Sequence, residues 1–157
     1  MSSIAKKLAA IATAGFLALG LAACAAPQAQ DRGAAANGYQ KQKAVYHIND
    51  AENAFAGLRN IQNHLNAVGD ENADIVVVTH GRGIDFLLSD WADSQGRSLG
   101  DPVHELASRG VEFKICNNTL VGRQIDANRI NLNAEVVPSG VASVSEYQHL
   151  GYTYVKP

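Results

Sequence analysis

Cysteine is nearly absent from this 157-residue chain: Cys24 and Cys116 are the only two, and Cys24 lies at the end of an N-terminal apolar segment. A lone thiol has no intramolecular partner, so the folded part must hold together by packing rather than by a disulfide framework. Clusters of lysine and arginine are also missing. With a formal net charge of -2, more acidic still without Lys6 and Lys7, the chain offers no basic footprint for nucleic acid. His47, His64, His80, His104 and His149 are scattered, with no HxH or HExxH spacing, so no protein-bound metal is expected. Gly81-x-Gly83 lacks the third glycine and the following acidic residue of a dinucleotide fingerprint, and no cofactor is expected.

What is present begins with an export pattern. Lys6-Lys7, the apolar stretch Leu8 to Leu21 and the small residues after it have the three-part layout of a secretory signal, assigned to residues 1–23. That stretch is too short and too rich in Ala and Gly for a permanent span. Leu21-Ala22-Ala23-Cys24 resembles a bacterial lipobox, which makes Cys24 the lipidated N-terminus and the membrane a partner through that anchor only. Ala25 in place of Asp implies, by resemblance to Gram-negative lipoproteins, sorting to the outer membrane and a periplasmic setting. Residues 24–42 are rich in Ala, Gln, Gly and Asn without apolar periodicity and read as a tether with a mean reach of about 20 Å. Residues 43–157 have the size of a single domain.

Within that domain the pattern alternates. Ala44 to Ile48 reads as a strand, and Asn49-Asp50 caps a helix whose apolar residues Ala51, Ala54, Phe55, Leu58, Ile61, Leu65 and Val68 recur at i, i+3, i+4, i+7 until Gly69. The run Ile75-Val76-Val77-Val78 is that of a central parallel strand covered on both faces. Helices are predicted over Ile84–Trp91, from Asp101-Pro102 to Ser108, and over Thr119–Ile125. Val111 to Cys116 alternates as a strand, Glu135 to Val137 is a short one, Ser143-x-x-Glu146 reads as a capping box, and Tyr152 to Val155 closes the chain. Five strands alternating with helices predict an α/β fold: a three-layer αβα domain on an open, mostly parallel sheet.

Ligands of such sheets gather at the carboxyl ends of the strands. Here those ends carry Asn49, His80-Gly81-Arg82-Gly83, Cys116-Asn117-Asn118 and Pro138-Ser139-Gly140. Cys116 stands where a strand passes into a helix, and there exposed N–H groups and the helix dipole lower a thiol's pKa. The same residue is equally readable as a small buried hydrophobe that ends a core strand.

The opening strand, Val77-Val78-x-His80-Gly81-x-Gly83, the block Gly110 to Leu120, Val137-Pro138-Ser139-Gly140 and the ending Tyr152-x-Tyr154-Val155-x-Pro157 together resemble the DsrE/DsrF-like family, over the whole of residues 43–157. The resemblance implies a DsrE-like, flavodoxin-like fold and a closed homo-oligomer, trimer or hexamer. It also implies a cysteine at this junction that accepts sulfur as a persulfide, the position of Cys116. Downstream, where characterised members tend to have Arg-Gly, this chain has Arg123-Gln124.

Candidate catalytic residues are therefore Cys116, as sulfur acceptor, and His80, to orient or deprotonate the thiol. His80 is also readable as a strand-end residue that holds the glycine turn. Asn49, Gly81, Arg82, Gly83, Asn117, Asn118 and Thr119 are candidate binding residues, with the N–H groups of Asn118 and Thr119 placed to stabilise the anion and Arg82 to attract an anionic donor. Three functions fit: a persulfide carrier supplied by a donor protein or a small sulfur anion, a noncovalent anion-binding or assembly module, and a thiol-redox sensor.

Overall fold

The computed structural model describes residues 38–157. The signal expected at 1–23, the lipidation site Cys24 and most of the 24–42 tether lie outside the described residues. Five strands form one sheet: β1 (Gln42–Ile48), β2 (Ala73–Thr79), β3 (Glu112–Cys116), β4 (Ala134–Val137) and β5 (Thr153–Val155). Their order is β4-β3-β2-β1-β5 and every pairing is parallel. β1 begins at Gln42, inside the segment read as tether, because Gln42 pairs with Ala73 and its side chain accepts from His64 Nε2 at 2.6 Å.

The helices are α1 (Ala54–Val68), α2 (Gly100–Ser108), α3 (Asn117–Gly122) and α4 (Gly140–His149). The steps β1 to β4 all move one way along the sheet, and right-handed crossovers put their connections on one face. The step from β4 back to β5 reverses direction and carries α4 across the other. The cores follow this division. Tyr46, Ile48, Val77, Phe113 and Ile115 pack with Leu58, Ile61, Leu65, Val103, Leu106 and Leu120 on the first face. Val45, Val76 and Val78 meet Val144 of α4, with Tyr147 and Tyr152, on the second.

Several elements differ from the sequence-based expectation. Residues 84–91 form no α-helix; a 3-10 turn covers Gly81–Leu87, and Leu88 then bridges Ile130. The cause is competition for backbone groups: Ser89 donates to Arg129 O at 2.7 Å and Asn131 donates to Leu87 O at 2.9 Å, which pulls the chain straight. Ser143 and Glu146 lie inside α4, whose cap is Ser139, accepting from Ala142 N–H at 3.4 Å. α2 starts at Gly100, with Asp101 in its first turn and not at the cap. His64, expected at the surface, is half-buried and accepts from Tyr46 Oη at 3.0 Å while donating to Gln42. α3 begins at Asn117, directly after Cys116.

Candidate functional site

The site grows out of the start of α3. With Cys116 itself as the residue before the helix, the first N–H groups have no partner within the helix and face back toward the sulfur. The thiolate of Cys116 is favoured by the N–H of Gly140, the first residue of α4, by the Thr119 hydroxyl and by the N–H groups of Thr119 and Asn118. Burial pushes the thiol up, yet these donors together outweigh it and hold Cys116 below the ordinary thiol value. The thiol is buried, at 4% exposure.

Thr119 joins this cradle to the glycine turn. Its Oγ1 accepts from Gly81 N–H at 3.0 Å, which leaves its proton for the sulfur. Gly81 has φ of 58° and its carbonyl accepts from Arg123 Nη1 at 3.2 Å, while the same guanidinium donates to Asp85 at 2.7 Å. Gly83 is required by close approach: a Cβ there would lie 2.0 Å from Ile48 O, and its N–H donates to Asn49 O at 3.0 Å. Gly140 is required likewise, since a Cβ on it would stand 2.8 Å from Thr79 O, 3.0 Å from His80 Cβ and 3.2 Å from Cys116 Cβ.

The predicted residues thus divide. Cys116, Asn118, Thr119 and Gly81 form one hydrogen-bonded unit, and His80 meets it across Gly140. The ring of His80 is directed to His47, Nε2 to Nε2 at 2.7 Å. Arg82 points away, pairing with Asp50 at 2.7 Å and Glu52 at 3.6 Å, so its charge is already matched by two carboxylates. It lines a separate cavity of about 490 Å³, walled also by Phe55, Trp91, Asp93 and Arg97, which does not include Cys116. Asn49 contributes its carbonyl to Gly83, and Asn117 is exposed at the helix start. Among the described residues no group of three or more His, Cys, Asp and Glu stands together as a metal site.

The sequence places Gly140 among the strand-end residues without a particular role, and marks neither His47 nor Tyr154 as part of the site. Gly140 had a signal, a glycine directly after Ser139 at a strand-to-helix junction, where a backbone N–H can reach a ligand atom. His47 had a weaker one, a polar residue alternating with Tyr46 and Ile48 in an otherwise apolar strand.

A parallel α/β protein with a cysteine cradled between a strand end and two helix starts is the class defined by this geometry. Residues 32–157 match the DsrE/DsrF-like family, and the chain belongs to that family, which is associated with sulfur relay. Among solved structures it is similar to a protein of unknown function, MTH1491, from Methanobacterium thermoautotrophicum. That structure is 27% identical with a TM-score of 0.66, over 74% of this chain and 99% of its own. The YchN protein from E. coli shares the fold at 18% identity and a TM-score of 0.61, with the same coverage. No curated protein matches the chain.

Proposed function

We propose that the protein is a sulfur carrier in which Cys116 alternates between thiol and persulfide. The observation that carries this reading is the cradle: the start of α3, the Thr119 hydroxyl and the start of α4, where a Cβ on Gly140 would stand 3.2 Å from Cys116 Cβ, surround one cysteine and favour its thiolate without a charged residue. A thiolate is the nucleophile in sulfur transfer, and donors that stabilise it also stabilise a persulfide anion. The step balances without an external oxidant. Cys116 S⁻ attacks the outer sulfur of a thiosulfate or persulfide, a new S–S bond forms, and the old one breaks to release sulfite or a thiolate with its electron pair. At 4% exposure the thiol favours a slender donor, a small sulfur anion or a persulfide side chain, over a bulky one.

In the same proposal the carrier is exported by the 1–23 signal, held at the periplasmic face of the envelope through Cys24, and assembled as a homo-oligomer. A second reading, a noncovalent binding module, is favoured by the cavity beside Phe55 and Trp91, which stands apart from the thiol.

Intact-mass spectrometry separates the two. The full chain carrying Cys24→Ser, so that Cys116 is the single thiol, is incubated with polysulfide, thiosulfate, tetrathionate or peroxide, beside its Cys116→Ser counterpart. An added sulfur atom that vanishes with Cys116→Ser supports the carrier. A chain unmodified by every sulfur donor sinks it and leaves the binding module, and modification by peroxide alone indicates a redox sensor.

A further inference from the structure

Beside the cradle runs a line of three polar side chains, His80 and two that carry no assigned role in the sulfur chemistry, His47 and Tyr154. Tyr154 Oη lies 2.8 Å from His47 Nδ1, and His47 Nε2 lies 2.7 Å from His80 Nε2. Strand geometry puts them there. His47 follows Val45 on the α4 face of β1, Tyr154 pairs with Val45 from β5, and His80 immediately follows β2. The two imidazoles are tilted against each other, with centroids 4.7 Å apart and planes inclined by 34°.

Two imidazoles joined Nε2 to Nε2 share one proton: one nitrogen donates and the other must be bare. While that bond persists, the pair holds no more than one positive charge. Tyr154 serves either tautomer of His47, because a phenol both donates and accepts. The remaining ring nitrogen of the pair is Nδ1 of His80. His80 and Cys116 flank the same glycine, and a Cβ built on Gly140 would contact the Cβ of each, at 3.0 and 3.2 Å. The Cβ atoms of His80 and Cys116 thus lie on either side of one glycine, both within contact distance of the same point.

We infer that His47, fixed by Tyr154, is a positioning residue that sets the tautomer of His80, so that the His47–His80 pair takes up the proton released when Cys116 becomes a thiolate. This rests on the sulfur-carrier reading. The S–H bond of Cys116 breaks and its electron pair stays on sulfur. The proton goes to Nδ1 of His80, whose Nε2–H is then donated to the bare Nε2 of a neutral His47. When sulfur leaves and the thiol re-forms, the proton returns. Around His47, burial, then His80, then Lys156 from the β5 side hold the imidazole toward its neutral form, and Tyr154 holds its Nδ1. Lys114, on the Cys116 face of β3, is held by Glu112 at 2.7 Å and Glu135 at 2.6 Å and does not join the pair.

The test is the pH profile of Cys116 alkylation by iodoacetamide, with thiolate absorbance alongside, in the full chain bearing Cys24→Ser. His47→Gln and Tyr154→Phe are measured beside it, the latter a conservative change at an exposed position. Both are expected to move the apparent thiol pKa upward by about half a unit, about a threefold loss of thiolate on the acid side, and His80→Gln to move it in the same direction. Profiles superimposable on the parent, or slowed equally at every pH, would overturn the inference and leave His47 a packing residue. The readout is independent of sulfur loading. A shifted profile without persulfide formation retires the carrier and keeps the proton pair, and normal loading with an unmoved profile does the reverse.

Discussion

The two faces of the sheet are built to different ends. The face under α1, α2 and α3 is an apolar core, with Phe86, Phe113, Ile61, Ile75, Ile84, Leu65, Leu87, Leu99 and Ile115 each less than 2% exposed. The face under α4 has only Val45, Val76, Val78 and Val144 buried together, and polar groups occupy the rest of it. Lys114 is the clearest of these. Burial alone lowers a lysine pKa, yet here Glu112 and Glu135 hold it above the usual range, and such a network adds little net stability because desolvation offsets its attraction. His47, Cys116 and Gly140 belong to this second face too. A sheet covered fully on one side can thus carry reactive groups on the other, where the starts of α3 and α4 meet at the cysteine.

The largest test of that division compares truncations on the two faces. Phe113→Ala should cost about 3–5 kcal/mol, and Val144→Ala, at the thinner core, clearly less. Urea unfolding of both variants measures the difference. Equal losses would mean that α4 contributes as much core as the three helices opposite and would dissolve the comparison.

Gly140→Ala strikes the second face at its site. The added methyl meets Thr79 O at 2.8 Å and must push the start of α4 outward, which takes the Gly140 N–H away from the sulfur. A stability loss of about 1–3 kcal/mol, in the range of overpacking, should accompany a raised thiol pKa, read from thiolate absorbance against pH. A thiol that titrates unchanged would show that the α3 donors suffice.

Much of this was legible in the sequence, and the reasons are physical. The α1 period and the run Ile75 to Val78 are long, apolar and uninterrupted, so their structure follows from burial alone. The segment 84–91 reads as a helix because its apolar content, Ile84, Phe86 and Leu87, is the same for a buried 3-10 turn as for a helix. What decided it was backbone hydrogen bonding to residues 129–131, and no local pattern encodes that. Cys116 with Asn118 and Thr119 was visible as a junction motif. Gly140 was visible as a strand-end residue but not as a donor to the sulfur, His47 and Tyr154 were not visible since they arrive from β1 and β5 through the sheet order, and His64 likewise was placed by Tyr46 and Gln42 and not by its own helix.

The departure at Arg123-Gln124 gives a smaller test on the better-packed face. Gln124 has φ of 54°, the left-handed region, at the position where family members tend to have glycine. A non-glycine residue there costs about 1–2 kcal/mol, partly offset because glycine gains more freedom in the unfolded chain. Gln124→Gly should therefore stabilise by about 0.5–1 kcal/mol, seen as a higher urea midpoint. With Arg123 still joined to Gly81 O and Asp85, the Cys116 reactivity should stay constant. A lower midpoint would show that the Gln124 side chain has a compensating role.

The smallest expected effect sets one histidine from each face against acid. Burial lowers the pKa of His64, on the α1 side, and burial, His80 and Lys156 lower that of His47 on the α4 side. The folded state thus favours both neutral imidazoles. Their contribution to stability is complete above the unfolded value of 6.5 and is lost as pH falls below it through the folded values. Stability should decline on acidification in that window, and His64→Gln, which removes one titration but keeps a polar side chain, should flatten the decline. Urea midpoints at about pH 5 and about pH 7.5 bracket the window. If His64→Gln leaves the slope untouched while His47→Gln abolishes it, acid sensitivity resides wholly on the face that holds the thiol, and the contrast between the faces extends from packing to protonation.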